Sequence, residues 1–221
     1  MLEGIKAVIF DMDGTLIDSM WLWEDVDRDY LHSVNVEMPD DLQECLGGMS
    51  MYESAIYFKD RFDIKDSIED IINTWNRMAY DKYSKEVPLK EGALDFLKYI
   101  KDKGLKLGVA TSNSYVLAKA ALEHLGVFDM FDSVLTGEKA GAGKPEPDIY
   151  INSAKALDVS PRRCLAFEDV PAGLMAARNA TMRVCAVYDE YSAEDDDIKR
   201  EIADYYIKSY KDIFDKTYEV L

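Results

Sequence analysis

The sequence is poor in cysteine and in basic charge and has no long apolar run, and each shortage removes a class of protein. Its three cysteines, Cys45, Cys164 and Cys185, are far apart, odd in number and set among apolar neighbours. They read as reduced thiols packed in a core, not as a disulfide framework. Lysine and arginine number 26 against 43 aspartates and glutamates, a formal net charge of −17. That surface repels a phosphate backbone and carries no basic stripe, so nucleic acid is not an expected partner. No segment approaches the roughly 20 apolar residues of a membrane span. The chain also enters a strand-like segment by Ile5 without a basic, apolar and small-residue leader. A cytoplasmic protein without membrane attachment is the expectation, with a monomer as the default.

What is present fits a packed α/β protein: 221 residues with a hydrophobic share of 48% suffice for one substantial domain, or a modest one carrying an insert. Short apolar or β-branched runs at Lys6–Phe10, Lys106–Ala110, Ser133–Thr136, Cys164–Phe167 and Val184–Tyr188 are mostly separated by helical periodicity, and Asp204–Ile207 offers one more. This alternation predicts a Rossmann-like three-layer parallel sheet with helical crossovers. From 18 to 87 the alternation breaks, leaving helical segments near Trp21–Val34, Leu42–Leu46, Met51–Phe62 and Ser67–Ser84. The expected organisation is therefore a core from 1–17 and 88–221 with a helical insert at 18–87.

Four stretches carry chemistry-bearing residues. Ala7-Val8-Ile9-Phe10 runs into Asp11-Met12-Asp13-Gly14-Thr15, placing two carboxylates where open α/β sheets form their ligand crevice. The same residues would also make a polar turn. A calcium-binding EF-hand loop is excluded, because counting from Asp11 the glycine falls fourth instead of sixth and the twelfth residue is Leu22 instead of Glu. Thr111-Ser112-Asn113-Ser114 follows the next core strand, offering hydroxyls and amides to an anion or capping a helix. In Gly143-Lys144-Pro145-Glu146-Pro147-Asp148 a lysine sits among turn residues, suited to neutralising a phosphoryl group or to simple solvation. Glu168-Asp169 ends another apolar run just before Pro171 and Gly173, as ligands for a hard cation or as acids at a helix N-terminus. Any phosphorylated ligand of so acidic a chain must be met locally, by a cation, a lysine or backbone amides.

In order and spacing the four stretches together resemble the haloacid dehalogenase superfamily, in particular its phosphatases and β-phosphoglucomutase-like members with a helical cap. The resemblance implies a magnesium-dependent phosphomonoester hydrolase acting on a small phosphorylated metabolite. It implies Asp11 as nucleophile and Asp13 as acid and then base. Thr111, Ser112, Asn113 and Lys144 would face the phosphate, and the metal would be held by Asp11, the Asp13 carbonyl and Asp169, with Glu168 beside them. Val170 departs from the serine that relatives often carry there.

Asp13 argues against carbon–halogen cleavage, since dehalogenases proper lack the second aspartate and the metal. A phospho-aspartate receiver module, the reading from another class, would need no insert and no proton-handling Asp13. Phosphonoacetaldehyde hydrolysis would require a Schiff-base lysine, and Lys59, Lys65 and Lys82 carry no motif for one. The mutase alternative needs a basic residue after the cap's glycine turn and a histidine on its first helix. Here Gly47-Gly48 resembles that turn, but Met51 and Trp23 occupy the other positions. Gly47, Gly48, Trp21 and Trp23 are the candidate specificity residues. The two tryptophans lie on different sides of one helix, so at most one is expected to reach a pocket.

Overall fold

The computed structural model describes residues 1–46, 51–137 and 143–221. Among these, the strands β1 (Ala7–Phe10), β2 (Lys106–Thr111), β3 (Ser133–Thr136), β4 (Cys164–Glu168), β5 (Arg183–Val187), β6 (Tyr205–Ile207) and β7 (Glu219–Val220) form a sheet in the order β3-β2-β1-β4-β5-β6-β7. All neighbours run parallel except β6 and β7. This is the Rossmann-like architecture expected from the alternation. β1 is central, and the chain leaves it on one side towards β2 and β3 and on the other towards β4, β5 and β6. Such a divergence opens a crevice at the carboxyl ends of the strands.

Strand alternation sorts the core into two layers. On one face Ala7, Ile9, Ala110, Cys164, Ala166 and Val184 pack with buried residues of α7 (Asp148–Ala156) and α8 (Pro171–Asn179). On the other, Phe10 stacks on Phe167 with ring centroids 5.1 Å apart, and both meet Phe96 and Tyr210. Phe96 belongs to α5 (Ala93–Asp102), whose buried Ala93, Phe96, Leu97 and Ile100 recur at helical spacing. α6 (Tyr115–His124) starts at Ser114, whose hydroxyl accepts from the Leu117 amide. After β5 the chain forms a short 3-10 helical segment over Glu190–Asp195, kinked at Ser192, and then α9 (Asp196–Ile202). No helix among the described residues is long and apolar enough to cross a membrane.

The chain divides into two units, one of Met1–Ser19 with Val87–Leu221 and one of Met20–Glu86. The second contains α1 (Trp21–Ser33), α2 (Leu42–Leu46), α3 (Met51–Arg61) and α4 (Ile68–Tyr83). Tyr30, Phe58 and Trp75 form its aromatic centre, and Ser67 caps α4 by accepting from the Asp70 amide. Cys164 and Cys185 are buried thiols, as expected, but Cys45 is only half-buried. Its sulfur lies 3.7 Å from both Asp41 and Arg61, a polar setting that its apolar sequence neighbours hid.

Asp27 is a buried acid within this helical unit. Burial lifts its carboxyl to about 6, against the opposing hydrogen bond from Gln43 and with the help of Glu24. Because the folded state binds the proton more tightly than the unfolded chain, this group's contribution is favourable at low pH and is lost as pH rises through that value. Asp27→Asn should therefore raise the melting temperature at about pH 8 and flatten its fall above about pH 4, as read by thermal denaturation. A lower melting temperature at the higher pH would contradict the assignment.

Candidate active site

The sheet register assembles the site from the ends of three adjacent strands. Phe10 pairs with Val109 on one side and Phe167 on the other, so Asp11 emerges beside Glu168. The Asp11 amide donates to the Phe167 carbonyl at 3.0 Å, keeping the strands together one residue further. Gly14, at φ 76°, then turns the chain back, and the Leu16 and Ile17 amides both donate to the Met12 carbonyl.

Asp11, Glu168 and Asp169 are all buried, and one carboxylate oxygen from each lies within 4.8 Å of the others. Lys144 reaches them from the segment before α7: its ammonium lies 2.5 Å from Asp11 Oδ1 and 2.5 Å from Glu168 Oε1. Burial opposes the charge on Lys144, but Asp11 and Glu168 outweigh it and hold the ammonium above its ordinary range. Burial likewise pushes Asp11 well up, countered by Lys144 and reinforced by Glu168 and Asp169. Asp169 is pushed up to about 7 by burial and by Glu168, against the hydrogen bond from Thr15. Three carboxylates and one ammonium leave two negative charges in excess when all are ionised.

That excess, together with one orphaned oxygen, tests the site for a cation. Glu168 Oε1 accepts from both Lys144 and Tyr150, whereas Oε2 is buried with no hydrogen-bond partner among the described residues. An uncompensated buried carboxylate oxygen is costly, and an all-oxygen donor set suits a hard divalent ion. The residues fit a metal.

Two side chains that sequence reasoning passed over shape this cluster. Tyr150 donates to Glu168 at 2.5 Å, and burial beside Glu168 keeps its phenol protonated far above the ordinary range. Only its place one turn into the helix after Lys144-Pro145 could have signalled it. Thr15 donates from Oγ1 to Asp169 Oδ1 at 2.7 Å; its position in the Asp-x-Asp-Gly-Thr run was the available signal.

The other expected site residues are placed as follows. Asp13 is outside the carboxylate cluster: Ser19 donates to its Oδ1 at 2.7 Å and the Asn113 amide to its Oδ2 at 3.2 Å. Asn113, expected to face phosphate, is thus engaged with Asp13. Thr111 ends β2 buried, and its Oγ1 accepts from the Asn113 backbone amide at 3.0 Å, while Ser112 is exposed. Trp23 lines a cavity of about 270 Å³ within the helical unit, together with Asp27, Gln43, Leu46, Met51, Ser54 and Trp75. Trp21 instead has the Lys82 ammonium 5.7 Å from its ring centre. Gly47 and Gly48 lie outside the described residues.

The family model for haloacid dehalogenase-like hydrolases matches residues 8–187. The chain is 31% identical over 179 residues to the phosphorylated carbohydrates phosphatase of Thermotoga maritima, covering 80% of this chain and 82% of that one. It is 31% identical over 189 residues to the β-phosphoglucomutase of Bacillus subtilis, covering 80% and 81%. Among solved structures, CbbY from Rhodobacter sphaeroides in complex with phosphate superposes with a TM-score of 0.80 at 25% identity, covering 95% of this chain and 96% of that one. The chain belongs to the haloacid dehalogenase-like hydrolases, the family that the order of its four motifs resembled.

The motif glycine Gly173 has a steric explanation. A Cβ there would stand 2.1 Å from Glu168 Cδ, so only glycine lets α8 lie against that carboxylate. Alanine normally favours a helix over glycine by about 1 kcal/mol. Overpacking should override this, and Gly173→Ala should destabilise by roughly 1–3 kcal/mol in urea denaturation. A stabilised variant would show that the space is open.

Proposed function

We propose that the protein is a magnesium-dependent phosphatase of small phosphorylated carbohydrates, working through a phosphorylated Asp11. The observation that carries this reading is the contact of Lys144 with both Asp11 and Glu168, beside Asp169, at the ends of neighbouring strands. An ionised carboxylate must attack an anionic phosphate, and that encounter needs fixed positive charge.

Asp11 attacks phosphorus in line, forming an oxygen–phosphorus bond as the ester bond breaks, and Asp13 gives its proton to the departing alcohol oxygen. Asp13 then removes a proton from water, which attacks the same phosphorus; the bond to Asp11 breaks, leaving inorganic phosphate and a free carboxylate. Asp13 suits the second role by position. It stands two residues from Asp11 and is oriented by Ser19 and Asn113. Thr111 Oγ1 accepts from an amide and keeps its own proton for a phosphoryl oxygen. Magnesium, held by Asp11, Asp169 and the Asp13 carbonyl with Glu168 beside them, would supply charge that offsets the repulsion between carboxylate and phosphate.

Hydrolysis is favoured over mutase chemistry by the helical unit, which we read as the cap. The described residues lining the cavity beside Trp23 include no lysine, arginine or histidine and do include Asp27, and Met51 and Trp23 stand where a mutase needs a basic residue and a histidine. Asp27, Gln43 and Ser54 on that cavity offer hydrogen bonds to hydroxyl groups. The carbohydrate substrate named for the Thermotoga maritima relative is consistent with that lining. We place the enzyme in the cytoplasm as a monomer.

Two measurements test the reading together. Release of phosphate from a panel of sugar and polyol phosphates should require magnesium and stop on chelation, and Asp11→Asn should lower turnover at least about a thousandfold, on the scale of lost nucleophiles. Substantial magnesium-dependent release by Asp11→Asn would remove the nucleophile assignment. Efficient interconversion of sugar phosphates with little phosphate release would favour the mutase.

A further inference from the structure

A buried hydrogen-bond path runs behind Asp169 that the phosphoryl chemistry does not use. Lys199, on α9, has 0% of its surface exposed. Lysine is almost never buried to that extent unless paired. Its ammonium lies 2.6 Å from Asp196 Oδ1 and donates to Ser192 Oγ at 3.2 Å. Ser192 in turn donates from Oγ to the backbone carbonyl of Asp169 at 2.8 Å. A serine hydroxyl has one proton and rotates freely; when an ammonium occupies its oxygen as donor, that proton is committed to the remaining acceptor.

Asp169 is therefore held at two ends, by Thr15 on its carboxylate at 2.7 Å and by Ser192 on its carbonyl. The segment carrying Ser192 is fixed as well. The Asp189 carboxylate accepts from the Tyr191 amide at 3.0 Å, its carbonyl accepts from the Ser192 amide at 3.3 Å, and Lys90 lies 2.5 Å from its Oδ2. An apolar side chain at 199 would fill the same volume without the cost of desolvating an ammonium. The ion pair with Asp196 keeps the ammonium charged in this setting, and its second contact, to Ser192, orients the Ser192 proton.

We propose that Lys199 is a positioning residue that acts through Ser192 to fix Asp169 in the geometry a divalent cation needs. The proposal rests on the reading of Asp11, Glu168 and Asp169 as a metal site, and it adds a determinant of metal affinity on a helix outside the four motifs.

The test is magnesium binding by the metal-free protein, followed by titration calorimetry without substrate, for wild type, Lys199→Met, Ser192→Ala and the double variant. Ser192→Ala is small enough to guard against misfolding of the lysine variant, and near-ultraviolet circular dichroism checks both. Each single variant should weaken magnesium binding about tenfold, the lower end of what loss of an outer partner of a metal ligand costs. The double variant should be no weaker than Ser192→Ala alone, because the lysine acts through the serine. Ser192→Thr, which keeps a hydroxyl, should retain most of the affinity. Unchanged affinity in folded single variants, or losses that multiply in the double variant, would overturn the proposal while leaving the metal site intact. A wild-type protein that binds no magnesium would overturn both.

Discussion

An ammonium group buried at the end of a parallel sheet, 2.5 Å from carboxylates on two neighbouring strands, is the contact on which the rest of the site depends. Lys144 lets Asp11 and Glu168 share a space that water leaves, where two like charges alone would drive one of them to bind a proton. It also sets the arithmetic of the cluster. With Asp169 included, one positive charge stands against three carboxylates, and burial first, with the neighbouring carboxylates behind it, holds Asp11 and Asp169 above their ordinary range. That all-oxygen donor set fits a hard divalent ion.

The surrounding fold serves this one requirement. The central strand brings Asp11 out between β2 and β4, Gly173 clears room for Glu168, and Tyr150 and Thr15 each fix one carboxylate by a single hydrogen bond. The aromatic stack of Phe10, Phe167, Phe96 and Tyr210 supports the same two strands from the face opposite α7 and α8. Tyr210 also donates to the Thr15 carbonyl at 3.1 Å, so the aromatic layer reaches the loop that carries Asp13. Rigid backing of this kind is what keeps catalytic groups within the small tolerances that phosphoryl transfer demands.

Much of this was legible in the sequence because the signals were local. The strands of the parallel sheet are short apolar runs, and Asp11, Thr111 and Glu168-Asp169 mark the ends of three of them. Lys144 was legible through its proline-rich turn. What escaped depends on distant neighbours. Tyr150 and Lys199 are a tyrosine and a lysine on ordinary helices until the fold brings them to Glu168 and Ser192, 18 and 7 residues away. The half-buried state of Cys45 was hidden for the same reason, since Asp41 and Arg61 approach it from two different directions along the chain. β7, only Glu219–Val220 and exposed, is too short to show a period. Asn113 faces phosphate only by what the resemblance implies, and the fold adds a contact of its side-chain amide with Asp13 that its place after a strand does not signal.

The central claim is that Asp11 becomes phosphorylated during turnover. It is tested most directly by quenching the enzyme in acid while it turns over a phosphate-labelled substrate with magnesium, then mapping the label by peptide mass spectrometry. The account predicts one phosphoryl group on the peptide containing Asp11, present only during turnover and absent in Asp11→Asn. Label on any other residue, or rapid turnover with none trapped on Asp11 at any quench time, would contradict it.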